Sequence, residues 1–331
     1  MYKDKIAGTL IGLAVGDALG VPHEFKAQKN NIYTGILYLV PEFNFKFNSR
    51  KDVIGQYSDD VEQTLCNLRS IIELNGYNKE AVILKYLKWA EKSKAMGRNT
   101  RNLFKGVKTI SGYQKRYNKI FDINIYDSWT QSNGSLMRCS MLAYLPNYVD
   151  ACMIDCKITN PHTINIQSSL LYCVILRYTA IGVNKQHIIN CMLQDKYVFT
   201  LSNEVKFVIN QAVNNKEFSR NIKEIGKGWV LHTLYCAVWA WYHHETYQDP
   251  IDVIIRQGGD TDTNAAVAGA LLGAYLGYDK LCQEERTKRN IQIVRNADFS
   301  LGENPRPQSC CLHDFDQLVE NYSKLVGNDM K

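Results

Sequence analysis

The sequence predicts an all-α fold in one domain, and three observations predict it. Apolar residues recur at helical spacing in several long segments, strand-like alternation is nearly absent, and no linker, tandem repeat or low-complexity tract divides residues 1–331. A chain of 331 residues can bury roughly three quarters of its unfolded surface, so it needs no disulfide scaffold. Its composition, 45% hydrophobic and 22% charged, excludes disordered, collagen-like and fibrous classes.

Taken in order, the first segment runs from Ile6 to Leu19. Lys3 and Lys5 ahead of the apolar run Ile6 to Val15 imitate a secretory signal, but Asp17 and the continuing pattern argue against cleavage. Pro22 ends the helix and leaves Glu24 on the exit turn. Val61 to Leu74 and Ala81 to Ala90 follow, then Ile166 to Ala180, Ile188 to Leu193 and Val205 to Val213. Trp229 to Tyr242 is too short and, with His232, too polar for a membrane span. Asn264 to Gly277 closes the series. Two polar connections, Lys26 to Gln56 and Gly97 to Thr130, are long for passive loops.

Two of these helices carry glycine stripes. Gly8, Gly12, Gly16 and Gly20 stand four apart, as do Gly269, Gly273 and Gly277, so each helix has one smooth face. Interior glycine costs about 0.5 to 1 kcal/mol against alanine, which implies a return through close backbone packing between the two helices. Asp17 and Glu24 then lie near whatever opens the second helix.

That opening is Gln257-Gly258-Gly259-Asp260-Thr261-Asp262-Thr263-Asn264. One oxygen-bearing side chain suffices for a cap; four in succession, without Cys or His, suit a hard cation. A second cluster, Tyr57-Ser58-Asp59-Asp60-Val61-Glu62, precedes another helix and alone reads as ordinary capping. Together the two clusters make a possible two-metal site.

The ten cysteines show no zinc-site spacing, so thiols in a reducing compartment fit, and the expected location is the cytoplasm, with access to a nucleus. The net charge is +6, with Arg98, Arg101, Lys105, Lys108, Lys115, Arg116 and Lys119 in one stretch free of acids. This reads as a solvated face; neither nucleic acid nor a membrane is expected as a partner. Tyr126 and Trp129 stand where an adenine would need a flat neighbour, but ordinary packing explains them better and neither is assigned to the site.

With these motifs in order the sequence resembles the ADP-ribosylglycohydrolase family, of the dinitrogen-reductase-activating glycohydrolase type. The resemblance rests on Gly16-Asp17-Ala18-Leu19-Gly20 with Glu24, Tyr57-Ser58-Asp59-Asp60, Asn133-Gly134-Ser135-Leu136-Met137-Arg138, and Gly258 through Ala266. It implies an orthogonal helical bundle around a binuclear site of two magnesium ions, with manganese as the alternative. It further implies hydrolysis of ADP-ribosylated protein or another ADP-ribose conjugate. Residue by residue, it makes Ser58, Asp59, Asp60, Asp260, Asp262 and Thr263 metal ligands and places Glu24 beside the substrate ribose as the catalytic acidic group. Asn133, Gly134 and Ser135 match the loop lining the ADP-ribose cleft, and Arg98-Asn99-Thr100-Arg101 resembles a degenerate form of another family loop. Departures are Val61 where many relatives have Thr, Ser140 at a common proline position, and Thr159-Asn160-Pro161-His162 for the family's Thr-His pair. Either Asn160 or His162 is left to contact substrate.

Two other readings compete. A non-catalytic ADP-ribose reader or crystallin-like relative would be expected to have lost some of these acidic residues, and all are present. A phosphohydrolase with an Asp-x-Asp nucleophile would place Asp260-Thr261-Asp262 after a buried strand, whereas here it opens a helix.

Overall fold

A computed structural model describes residues 2–25, 53–93, 96–124, 131–194, 200–219, 228–301 and 305–327. Among them are fifteen α-helices and no strand. In chain order they are α1 (Tyr2–Gly20), α2 (Asp59–Leu74), α3 (Lys79–Lys92), α4 (Arg98–Phe104), α5 (Ile110–Asn124), α6 (Tyr148–Thr159), α7 (Thr163–Ala180) and α8 (Lys185–Leu193). The series continues with α9 (Asn203–Asn214), α10 (Val230–His243), α11 (Gln248–Arg256), α12 (Thr261–Leu276), α13 (Tyr278–Leu281), α14 (Glu285–Asn296) and α15 (Phe315–Val326). The all-α expectation holds.

The two glycine-striped helices, α1 and α12, form the axis of the fold and are buried along nearly their whole lengths. They run antiparallel: Gly8 faces Gly273, Gly12 faces Gly269, Gly16 faces Ala265 and Gly20 faces Asp262. A Cβ on any of these four α1 glycines would fall inside the 3.0 Å that real Cβ atoms respect from the α12 backbone. The close approach inferred from the stripes is therefore obligatory, and it brings Asp17 beside the start of α12. Tyrosines lock this axis from outside: Tyr247 Oη donates to the Gly12 carbonyl at 2.6 Å, and Tyr172 Oη to that of Val267 at 2.9 Å. The Tyr2–His23 stretch is apolar and long enough to cross a membrane, yet 89% of its most apolar window is buried in the protein.

The described part of the Gly97 to Thr130 connection, residues 97–124, is mostly helical. Its apolar residues Leu103, Phe104, Tyr113 and Phe121 build a second core with Val82, Tyr86 and Leu87 of α3, in which Phe104 and Tyr113 stack at 5.3 Å. Interleaved Lys, Arg and Asn hid this helical period in the sequence. The connection Lys26 to Gln56 and the residues Tyr126 and Trp129 fall largely or wholly outside the described residues.

Candidate active site

The cavity is floored by three helix ends. Pro22 stops α1 and leads through a short 3-10 turn, Val21–His23, to Glu24. Ser58 caps α2: its Oγ accepts from the Asp60 N–H, while its own N–H donates to Asp17 Oδ1 at 2.8 Å. Gly258 and Gly259 hold φ of 75° and 81°, a left-handed pair that favours glycine, and turn the chain sharply into α12. Asp260 occupies the cap position of α12, but its side chain makes no capping bond. It accepts instead from Asn133 Nδ2 at 2.9 Å, so the over-equipped cap serves something other than capping.

The cavity above has a volume of about 600 Å³, within the range of small-ligand sites. Glu24, Ser58, Asp59, Asp60, Asn133, Gly134, Asp260, Asp262 and Thr263 all line it. So do Asn160, Arg98 and Arg101. Ser135 does not: it is fully buried behind the turn, where its Oγ meets Ser169 Oγ at 3.2 Å. His162 also stands off the cavity; its Nδ1 accepts from the Ile164 N–H at 3.1 Å as the cap of α7. Of the two residues left open for the substrate contact, Asn160 is the one at the wall, its Nδ2 donating to the Ser132 carbonyl at 3.1 Å.

Behind the wall lies a buried network. Arg138 pairs with Asp155 at 2.8 Å, both side chains fully buried, and its Nη1 donates to the Gly134 carbonyl at 2.7 Å. This fixes the turn Asn133–Arg138 against α6. Sequence reasoning missed Arg306, which enters the cavity wall from the segment before the last helix and pairs with buried Glu62 at 2.7 Å. Only a Pro-Arg-Pro tripeptide at 305–307 marked it.

Asp17 is the other addition. One carboxylate oxygen each from Asp17, Asp60 and Asp262 lie within 4.8 Å of one another, and Glu24, Asp260 and Asp262 form a second such group sharing Asp262. Burial pushes the carboxyls of Asp17, Asp60 and Asp262 well above the usual range, and neighbouring negative charges push further. Asp59 is raised to about 7, by burial first and the charge of Glu62 second. Asp60 Oδ1 is buried with no hydrogen-bond partner among the described residues. An all-oxygen donor set, mutually repelling and with an orphaned lone pair, fits a hard divalent cation.

The sequence model of the ADP-ribosylglycohydrolase family matches residues 1–299. This chain belongs to that family. By class it is an ADP-ribosyl glycohydrolase. Over 309 residues it is 26% identical to ADP-ribosylarginine hydrolase Tri1 of Serratia proteamaculans, covering 86% of this chain and 76% of that one. It is 23% identical over 308 residues to the ADP-ribosyl-[dinitrogen reductase] glycohydrolase of Rhodospirillum rubrum, covering 88% and 92%. A solved ADP-ribosylglycohydrolase-related protein complex superposes with a TM-score of 0.66 at 20% identity, over 98% of this chain and 99% of that one, and shares its fold.

Proposed function

We propose that the protein, acting as one domain, is a magnesium-dependent hydrolase that cleaves the ribosyl glycosidic bond of ADP-ribosylated substrates and releases ADP-ribose. Protein side chains are the carriers suggested by the two named relatives, which act on ADP-ribosylated arginine and on dinitrogen reductase. The observation that carries the reading is the pair of carboxylate groups sharing Asp262 at the floor of the cavity.

Two divalent cations held by these carboxylates, magnesium or alternatively manganese, would supply Lewis-acid stabilisation of ribose hydroxyls and an acidified water. The chain's own residues do the rest. A carboxylate floor stabilises the positive charge that develops at the anomeric carbon as the glycosidic bond stretches. Glu24, at the exit turn beside Asp260 and Asp262, accepts the proton of the attacking water. The water's hydroxyl goes to the anomeric carbon, and a proton goes to the released carrier. Asn133 orients Asp260, and Arg98 and Arg101 offer positive charge to a diphosphate along the wall. Ten free thiols suit a reducing compartment, so we place the enzyme in the cytoplasm, with nuclear access open.

The test is release of free ADP-ribose from arginine-, serine- and poly-ADP-ribosylated substrates, with magnesium and again with chelator. Magnesium-dependent release from one member is the expected result. Tight ADP-ribose binding without release from any member would make the protein a reader instead.

A further inference from the structure

The cavity floor gathers hard oxygen donors; the core elsewhere gathers soft ones. Cys139, Cys152 and Cys173 come from three separate elements: the joint between the short 3-10 turns Asn133–Arg138 and Ser140–Tyr144, helix α6, and helix α7. Their sulfurs all lie within 4.8 Å of one another, and Cys173 Sγ stands 3.6 Å from Cys152 Sγ. All three are free thiols. A core cysteine ordinarily packs alone as a small hydrophobe, and Cys156 does so: it lies one turn beyond Cys152 on α6 and is equally buried, yet its Sγ turns to the Asn160 carbonyl at 3.2 Å, outside the group.

Three sulfurs bound to one ion at about 2.3 Å stand about 4 Å apart when the ion lies in their plane. The observed 3.6 Å, with every pair inside 4.8 Å, spans that value, so the backbone already holds the donors at coordinating distance. No imidazole or carboxylate belongs to the group, and each of the three residues is at most 1% exposed, which excludes water as a further ligand. Zinc in a closed protein site takes four ligands and is left one short here. Soft thiolates with no fourth donor suit copper(I), a d10 ion that accepts three. Burial opposes a thiolate at Cys139, but hydrogen bonds from Cys152 and Cys173 outweigh it and draw that thiol below its ordinary value. A compensating cation stands on the same face of α7, one turn beyond Cys173. It is Arg177, whose Nη1 donates to the carbonyls of Ala143 and Leu145 at 3.0 Å each and which makes no ion pair among the described residues.

We propose that Cys139, Cys152 and Cys173 form a binding site for one copper(I) ion, three-coordinate and shut off from water. Each thiol that enters the complex gives its proton to solvent, and the copper keeps its oxidation state. The ion ties α6 and α7 to the residue directly after Arg138, and so braces the turn whose Asn133 and Gly134 line the cavity. Entry is by way of Cys139. The 3-10 turns on either side of it have poorer hydrogen bonds than the α-helices that carry the other two sulfurs, so this is the donor that swings aside in a local opening. The site is independent of the hydrolysis proposed above.

The test is a competition titration of the folded protein with copper(I), supplied anaerobically against the coloured chelator bicinchoninate. The half-buried thiols Cys66, Cys191 and Cys282 would take up copper on their own account, so the background is the triple variant Cys66→Ser/Cys191→Ser/Cys282→Ser. In that background one copper should bind per chain, saturating magnesium should leave its affinity unchanged, and Tm should rise with copper. X-ray absorption at the copper edge should find three sulfur neighbours and no nitrogen or oxygen. Loss of an outer partner of a metal ligand already costs 10 to 100-fold in affinity, so Cys152→Ala or Cys173→Ala, which removes a ligand itself, should cost at least about 100-fold. Cys156→Ala, an equal truncation in the same core, should cost nothing, and circular dichroism confirms that each variant is folded. No copper held against the chelator overturns the proposal. So does a spectrum with two sulfurs and an oxygen or nitrogen, which is read on the background protein and does not depend on the alanine variants folding. Affinity within threefold of the background in Cys173→Ala, or displacement of the copper by magnesium, overturns it equally. None of these readings involves release of ADP-ribose, so the copper site and the proposed hydrolysis fail separately.

Discussion

Two sets of buried carboxylates, one at the cavity floor and one behind its wall, are treated in opposite ways. Asp155 has each oxygen engaged: Arg138 Nε donates to one at 2.8 Å, and Asn67 and Tyr77 donate to the other at 3.1 Å. Glu62 is likewise paired with Arg306 and accepts from Trp89 Nε1 at 2.6 Å. Asp17, Asp60 and Asp262, equally buried, have no Lys, Arg or His within ion-pair distance among the described residues, and Asp60 Oδ1 has no partner there. The protein can neutralise buried acids with arginine and does so one layer back. An uncompensated buried charge costs several kcal/mol, and the proposed cations would offset it for these three together.

The largest effect expected from breaking this contrast is at the shared carboxylate. Asp262→Ala should lower kcat by at least about 10³-fold, since it removes a member of both acidic groups. In chelator the same variant should melt at a higher temperature than the intact protein, because a repelling charge has gone; activity within tenfold of the intact enzyme would sink the cation-site account. Next comes the paired set. Arg138→Met strands Asp155 without its counter-charge and should cost about 3 to 5 kcal/mol in denaturant unfolding, whether or not magnesium is present. Dependence of that loss on magnesium would show that the two sets are not separate.

The smallest effect is in pH. Asp59 has a folded-state pKa of about 7 against an ordinary 3.8. A raised folded value means that its contribution is intact below the unfolded pKa and is lost as pH rises through the folded one. Chelated protein should therefore lose several degrees of Tm between about pH 4 and pH 7, and magnesium should restore more of it at the upper end than at the lower. A chelated protein that gains stability over this window would contradict the assignment.

Much of this site was legible because its residues sit where local rules already speak. Glycine at every fourth position pointed to close approach, and oxygen-bearing residues stacked beyond the needs of a cap announced Asp260, Asp262 and Thr263. Asp17 was placed near them by its position on α1, but a mid-helix acid carries no local sign of what it faces. The Asn133–Arg138 turn was legible as a motif and less so residue by residue: Asn133 and Gly134 face the cavity, while Ser135 turns back toward α7. His162 was drawn into a cap by its place before a helix, leaving the wall to Asn160. Long-range partners stayed hidden. Arg306 and Glu62 are 244 residues apart, and no spacing rule joins them. The same holds for Cys139, Cys152 and Cys173, scattered in sequence and gathered in the core as free thiols.

The contact between α1 and α12 also sets a schedule. Gly20 and Thr261, joined where Thr261 Oγ1 donates to the Gly20 carbonyl, are separated by 241 positions. At ribosomal speeds of roughly 5 to 20 residues per second, α1 waits on the order of ten seconds or more for the helix that covers its smooth face. Throughout that interval a highly apolar segment has no permanent neighbour, and the acidic floor has only one of its two banks. The carboxylate floor is complete only near the end of synthesis, so a nascent chain stalled before α12 exposes a sticky first helix and holds no complete cavity floor.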